Sequence, residues 1–192
     1  MKNLLVVVDM VNGFVNEGAL ADKKINKITP NIVSAIEKAK ANCIKIVAFR
    51  DCHQIGDLEF KTFPPHCLKG TAESQLIPEL KKYEKDMLLI DKNTTNGFIT
   101  PKFKYITENY EFDKVYVVGC CTDICVLDFV RSYLKFNQEN NRNTEIVVLE
   151  DACYTFDSPV HNAEQQHKSA IEQMKSIGAK IVQKNTNECV KE

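Results

Sequence analysis

Val117-Val118-Gly119-Cys120-Cys121-Thr122-Asp123-Ile124-Cys125-Val126 is the stretch on which the fold turns. An apolar, β-branched run ends at a glycine, a tight turn follows, and a helix begins near Thr122 or Asp123. That order predicts one crossover unit of a parallel sheet. The same kind of run recurs at Leu4–Val8, Ile44–Phe49, Met87–Ile90, Lys114–Val118, Glu145–Leu149 and Ala179–Val182. Each is short and nearly continuous, as strands buried on both faces are. Helix-period stretches lie between them. Asn31–Asn42 carries Ile32, Val33, Ile36 and Ala39 on one face, and Asp123–Phe136 carries Val126, Phe129, Val130 and Leu134. Pro159–Ile177 offers Ala170, Ile171 and Met174 before a stop at Gly178. The alternation predicts a three-layer α/β/α fold on a mainly parallel six-stranded sheet, with right-handed crossovers. With no repeat, low-complexity tract or linker, residues 1–192 are expected to form a single domain.

Bulk properties exclude several classes. The formal net charge of -1 gives no electrostatic reason for a nucleic-acid or anionic-membrane partner. No apolar run approaches the ~20 residues of a membrane span. The opening run Leu4–Val8 ends in Asp9 and reads as a buried strand rather than a signal peptide. Eight cysteines (Cys43, Cys52, Cys67, Cys120, Cys121, Cys125, Cys153 and Cys189) without a secretory signal point to free thiols in a reducing cytoplasm. No paired CxxC motif supports a cysteine-built zinc site.

Three strand ends draw attention, because ligands of open parallel sheets bind beyond the carboxyl ends of the strands. Cys125 would sit in the first helical turn, where the helix dipole favours a thiolate and free amides can face an oxyanion. Its alternative is a small buried hydrophobe. Asp9 ends an apolar strand, either as a general base for a thiol or as a structural acid held by loop amides. Lys92, in Leu89-Ile90-Asp91-Lys92, is by itself an ordinary surface charge, and the shared sheet edge raises it. From Asp51 to about Gln75 the chain lacks periodicity, and a loop that long inside a domain is usually functional. It carries Asp51, His53, Glu59 and His66, which suit a divalent ion such as Zn, Mn or Fe or else are plain loop polarity.

Together these segments resemble the isochorismatase-like cysteine hydrolases, a Rossmann-like family, and within it the nicotinamidase/pyrazinamidase group. The likeness covers nearly the whole chain. Asp9-Met10-Val11-Asn12-Gly13-Phe14 resembles the motif of the catalytic aspartate, and Phe49-Arg50-Asp51-Cys52-His53 the metal motif. Phe63-Pro64-Pro65-His66 resembles the segment of the distal histidine, Asp91-Lys92 the catalytic lysine, and Gly119–Val126 the nucleophile turn. Asp151-Ala152-Cys153 followed by His161 is similar to a downstream stretch that many members share. There are departures. Val11 stands where glutamine is frequent, and Asp57 where many nicotinamidases place another histidine. Glu59 fits the carboxylate that some members place about seven residues before the distal histidine, as a ligand directly or through water.

The resemblance implies hydrolysis of nicotinamide to nicotinate and ammonia through a thioester, as part of NAD salvage. It assigns Cys125 as nucleophile, Asp9 as proton acceptor and donor, and Lys92 as their electrostatic partner. It assigns the amides of Cys121 and Cys125 to the oxyanion and makes the Cys120–Cys121 peptide cis. It gives one divalent ion, zinc foremost, held by Asp51, His53, Glu59 and His66. Phe14 and Phe63 would flank the substrate ring; their alternative is core packing. A cytoplasmic homo-oligomer acting on a small molecule is the corresponding expectation. The rival within the family is the same chemistry on another small amide or carbamoyl substrate. Outside it the rivals are a non-catalytic binding module and a redox sensor built on Cys120 and Cys121.

Overall fold

The structure, a computed structural model, describes residues 2–183. Six strands form one sheet: β1 (Asn3–Val8), β2 (Lys45–Asp51), β3 (Leu88–Lys92), β4 (Lys114–Cys120), β5 (Glu145–Tyr154) and β6 (Lys180–Val182). Their order is β3-β2-β1-β4-β5-β6, and every pairing is parallel. The expectation of a mainly parallel sheet is thereby met in full. The central strand β1 is buried along its whole length, as its unbroken apolar run requires.

The helices are α1 (Asn12–Val15), α2 (Thr29–Ala41), α3 (Pro78–Lys81), α4 (Pro101–Asn109), α5 (Leu127–Glu139) and α6 (Ala163–Ser176). Side chains of β1 alternate between two cores. Leu5 and Val7 join Ile32, Ile36 and Leu80 of α2 and α3, while Leu4, Val6 and Val8 join Phe103, Phe129, Val130 and Met174 of α4, α5 and α6. Right-handed crossovers explain the division. The chain moves outward from β1 to β3, returns past β1 through α4, and continues outward to β6, so the later helices lie on the opposite face. Helix α4 went unrecognised in the sequence because only Phe103 and Thr107 of its nine residues are buried, too few for a visible period.

The direction of travel reverses between β1 and β4, and a doubly wound sheet opens its ligand crevice there. At that point Val8 pairs with Gly119. Gly119 has a φ of +124°, and a Cβ on it would lie 2.1 Å from the carbonyl oxygen of Val8. Only glycine lets the two strand ends come this close. The two loops that follow, from Asp9 and from Cys121, therefore begin side by side.

Candidate active site

Asp9 is the first residue after β1 and adopts a φ of +51°, uncommon for a non-glycine residue and a feature that tends to cluster at functional sites. Its side chain is fully buried. Lys92 ends β3 in register with Asp51 at the end of β2, which places the two opposite each other. Lys92 Nζ lies 2.8 Å from Asp9 Oδ2, 2.7 Å from Asp51 Oδ1 and 3.8 Å from Cys125 Sγ. One ammonium thus joins two carboxylates and a thiol from four segments of chain. Burial works against its charge, but Asp51 and Asp9 more than offset this and hold Lys92 well above the usual lysine range.

Cys125 lies in a π-helical turn, Thr122–Val126, that leads into α5. Such turns are frequent at functional sites. The peptide between Cys120 and Cys121 is cis, as the resemblance implied. The thiol differs from the expectation of a dipole-stabilised thiolate. Burial pushes Cys125 well above the ordinary thiol range, Lys92 offsets only part of that, and Asp9 and Asp51 add to it. The surroundings thus favour the protonated thiol over the thiolate. Asp9 is perturbed in the same direction. Burial, with the charge of Asp51 adding to it, raises its carboxyl to about 6 against the lowering effect of Lys92.

The long loop brings His53 and His66 to Asp51. His53 Nε2 and His66 Nε2 lie 3.0 and 2.9 Å from Asp51 Oδ2, and all three residues are buried. The return segment is tied in by backbone bonds from His53 N to Cys67 O and from Lys69 N to His53 O, so the distal histidine arrives beside the proximal one. Glu59 Oε2 is 3.7 Å from His53 Nε2, buried, and without a hydrogen bond among the described residues. A buried carboxylate oxygen without a partner is costly. The carboxylate of Asp51 and the imidazoles of His53 and His66 form a buried group that fits a divalent cation, with the unsatisfied Glu59 oxygen at its margin. Asp57, where a further histidine was noted as frequent, points elsewhere: its Oδ2 contacts Nδ1 of His53, on the outer side of the ring.

A cavity of about 340 Å³ opens onto both groups and is lined by Asp51, Glu59 and His66 on one side and Cys121 and Cys125 on the other. Phe14 and Phe63 line it as well, with ring centroids 5.7 and 6.2 Å from His66. Leu20, Ile124 and Phe156 complete the apolar wall and were not singled out in the sequence. Phe156 had a signal: it follows β5 at the same sheet edge, but β5 runs on to Tyr154, past the expected end at Leu149, through a register shift. His161, noted only as part of a shared stretch, stacks on Phe156 at 3.9 Å and approaches Asp123 Oδ2 at 2.7 Å.

Residues 3–186 match the family described as the Isochorismatase domain. The chain belongs to the isochorismatase family. Nicotinamidase 1 of Arabidopsis thaliana is 33% identical over 94% of this chain and 85% of that protein. The crystal structure of pyrazinamidase of Pyrococcus horikoshii in complex with zinc superposes with a TM-score of 0.77 at 30% identity, covering 95% of this chain and 99% of that one. N-carbamoylsarcosine amidase of Thermoplasma acidophilum superposes with a TM-score of 0.80 at 27% identity, covering 98% and 99%. The chain is therefore similar both to a nicotinamidase and a pyrazinamidase and to an N-carbamoylsarcosine amidase.

Proposed function

We propose that this family member is a metal-assisted nicotinamidase, hydrolysing nicotinamide to nicotinate and ammonia. The observation that carries the reading is a single cavity lined both by Cys125 and by Asp51 and His66 of the Asp–His–His cluster. Its lining separates this substrate from the carbamoyl alternative. Among the described residues it contains no lysine or arginine but four acids, Asp22, Asp51, Glu59 and Asp157, beside an apolar wall. A carboxylate-bearing substrate such as N-carbamoylsarcosine would find no lysine or arginine in that lining to pair with, whereas a flat, neutral aromatic amide would meet the apolar wall of Phe14, Leu20, Phe63, Ile124 and Phe156.

Asp51, His53, His66 and Glu59 would hold a divalent ion, with zinc first and Mn or Fe as alternatives. When bound, it supplies a Lewis-acidic anchor for a ring nitrogen. Asp9 takes the proton from Cys125, and Lys92, fixed between Asp9 and Asp51, stabilises the charges that form. The sulfur attacks the amide carbon, and the amides of Cys121 and Cys125 are assigned to the developing oxyanion. Asp9 returns the proton to the departing ammonia, and water cleaves the thioester. Phe14 and Phe63 flank the ring.

We place this activity in NAD salvage in the cytoplasm. The described cysteines, Cys43, Cys52, Cys67, Cys120, Cys121, Cys125 and Cys153, are all unpaired, which supports a reducing compartment; Cys189 lies outside the described residues. No helix of the described residues is long and apolar enough to cross a membrane. A redox role for the adjacent cysteines is disfavoured, since Cys120 is buried and its thiol is pushed up by the hydrogen bond with Cys121 and by burial. We also propose a homo-oligomer, supported by the exposed apolar Ile55, Leu58 and Val160; sedimentation velocity returning only monomer would overturn that point. Ammonia release by the purified protein, compared between nicotinamide and N-carbamoylsarcosine, tests the central reading. Turnover of the second alone would replace it.

A further inference from the structure

Asp57 stands where the family resemblance places a further histidine, and it lies against the back of His53. His53 has two ring nitrogens with different surroundings. Nε2 faces Asp51 Oδ2 at 3.0 Å and Glu59 Oε2 at 3.7 Å. Nδ1 faces Asp57 Oδ2 at 3.1 Å. The same Asp57 oxygen accepts the backbone N–H of Gln54 at 2.9 Å, and the Asp57 N–H returns a bond to Gln54 O at 3.1 Å. The carboxylate is therefore fixed in a small turn before it meets the ring. His66 is treated in parallel fashion, its Nδ1 lying 2.8 Å from Pro64 O.

We propose that Asp57 is a positioning residue that accepts the Nδ1–H of His53 and so leaves the Nε2 lone pair free for the ion that Asp51, His66 and Glu59 would hold. The inference rests on the metal-site reading above and extends it to a residue with no ligand role of its own. Its chemistry is general: an imidazole that ligates through one nitrogen needs an acceptor on the other to fix tautomer and orientation, and a carboxylate acceptor also raises the ring's basicity. For His66 the acceptor is a backbone carbonyl, which substitution cannot remove. For His53 it is a side chain, so the role can be tested. It also accounts for the departure at this position. Asp57 is behind the proximal histidine rather than beside it, and the fourth donor falls to Glu59.

The test measures zinc affinity and tautomer, not turnover. In the zinc-loaded wild-type protein, ¹⁵N-resolved imidazole spectra should show His53 protonated at Nδ1. Protonation at Nε2 would overturn the proposal without any variant. Competition against a chromophoric chelator should show zinc bound about 10–100-fold more weakly by Asp57→Ala. Asp57→Asn, whose side-chain oxygen accepts the same bond, should recover most of that loss. Unchanged affinity in Asp57→Ala, or equal weakening in both variants, would reduce Asp57 to a loop residue. Wild-type protein that binds zinc but leaves nicotinamide intact would remove the substrate reading and leave Asp57's role standing. Wild-type protein that cleaves nicotinamide without binding zinc would remove the metal site and this role together.

Discussion

Cys125, Asp9 and Lys92 are ordinary residues whose burial makes them a unit. Cys125→Ala removes the only described sulfur that both lines the cavity and contacts Lys92, so ammonia release should fall by at least about 10³-fold. Turnover retained within tenfold would place the nucleophile elsewhere. The pH profile follows from Asp9. Its carboxyl is raised to about 6, so it is the protonated, inactive form that accumulates as pH falls through that value. On this basis kcat/KM should be level above about pH 6 and fall roughly tenfold per unit below it. A profile still flat at pH 5 would remove Asp9 as the base. Lys92→Met leaves Asp9 and Asp51 buried without their cation, and loss of one partner from a buried ion pair costs about 3–5 kcal/mol. Urea unfolding should show that loss, and a change under about 1 kcal/mol would mean that solvent reaches the pair. That the three meet at one sheet edge was legible from the sequence, because each lies at or shortly past the end of a strand whose apolar run could be read. Their protonation states were not. The dipole of a helical turn argues for a thiolate at Cys125, and only full burial beside two carboxylates shows that the opposite tendency prevails.

At the scale of elements, the site depends on how closely β1 and β4 meet at their carboxyl ends. Gly119→Ala combines an unfavourable φ of +124° with a Cβ pressed against the Val8 backbone, and β1 is the central strand, so relaxation there is restricted. Destabilisation above about 4 kcal/mol is expected, among the largest for a single methyl group. Gly178→Ala provides the control. That residue has a φ of +109° with nothing within 4 Å of the added carbon, so it meets the backbone penalty alone. Equal midpoints for the two variants in urea would show that the strand contact is unimportant. The sequence placed a tight turn at Gly119 but could not show which strand it touches, since that depends on the order of strands in the sheet. Short buried strands announced themselves through composition. Helix α4 did not, because it lies across an aromatic cluster with little of its own surface buried. Its Phe103 meets Phe49 and Phe129 at centroid distances of 5.2 and 5.3 Å, contacts that no local period encodes.

At the scale of the molecule, the long loop between β2 and β3 carries two isolated bridges, Leu76 to Val11 and His53 to Leu68, and the second links the two donor-bearing segments. An ion bound by Asp51 at a strand end and by His53, Glu59 and His66 in the loop would fasten loop to sheet, and its binding energy would become folding energy. Zinc free at 100 times its dissociation constant should stabilise the protein by about 2.7 kcal/mol. For a domain of this size that corresponds to a rise of roughly 5–10 °C in Tm, lost on chelation. Variants divide the ligand set. His66→Ala should abolish the zinc-dependent rise, because its Nε2 is 2.9 Å from the shared Asp51 oxygen. Glu59→Gln should reduce the rise by about half or less if the carboxylate acts through water, and more if it binds directly, given the 3.7 Å that now separates it from His53. A Tm that ignores zinc and chelator alike would mean that the buried, unpartnered oxygen of Glu59 is satisfied by some other means and that the Asp–His–His cluster is structural. The polar residues of this loop are the least regular part of the sequence, and the thermal response to one ion is where their arrangement becomes measurable.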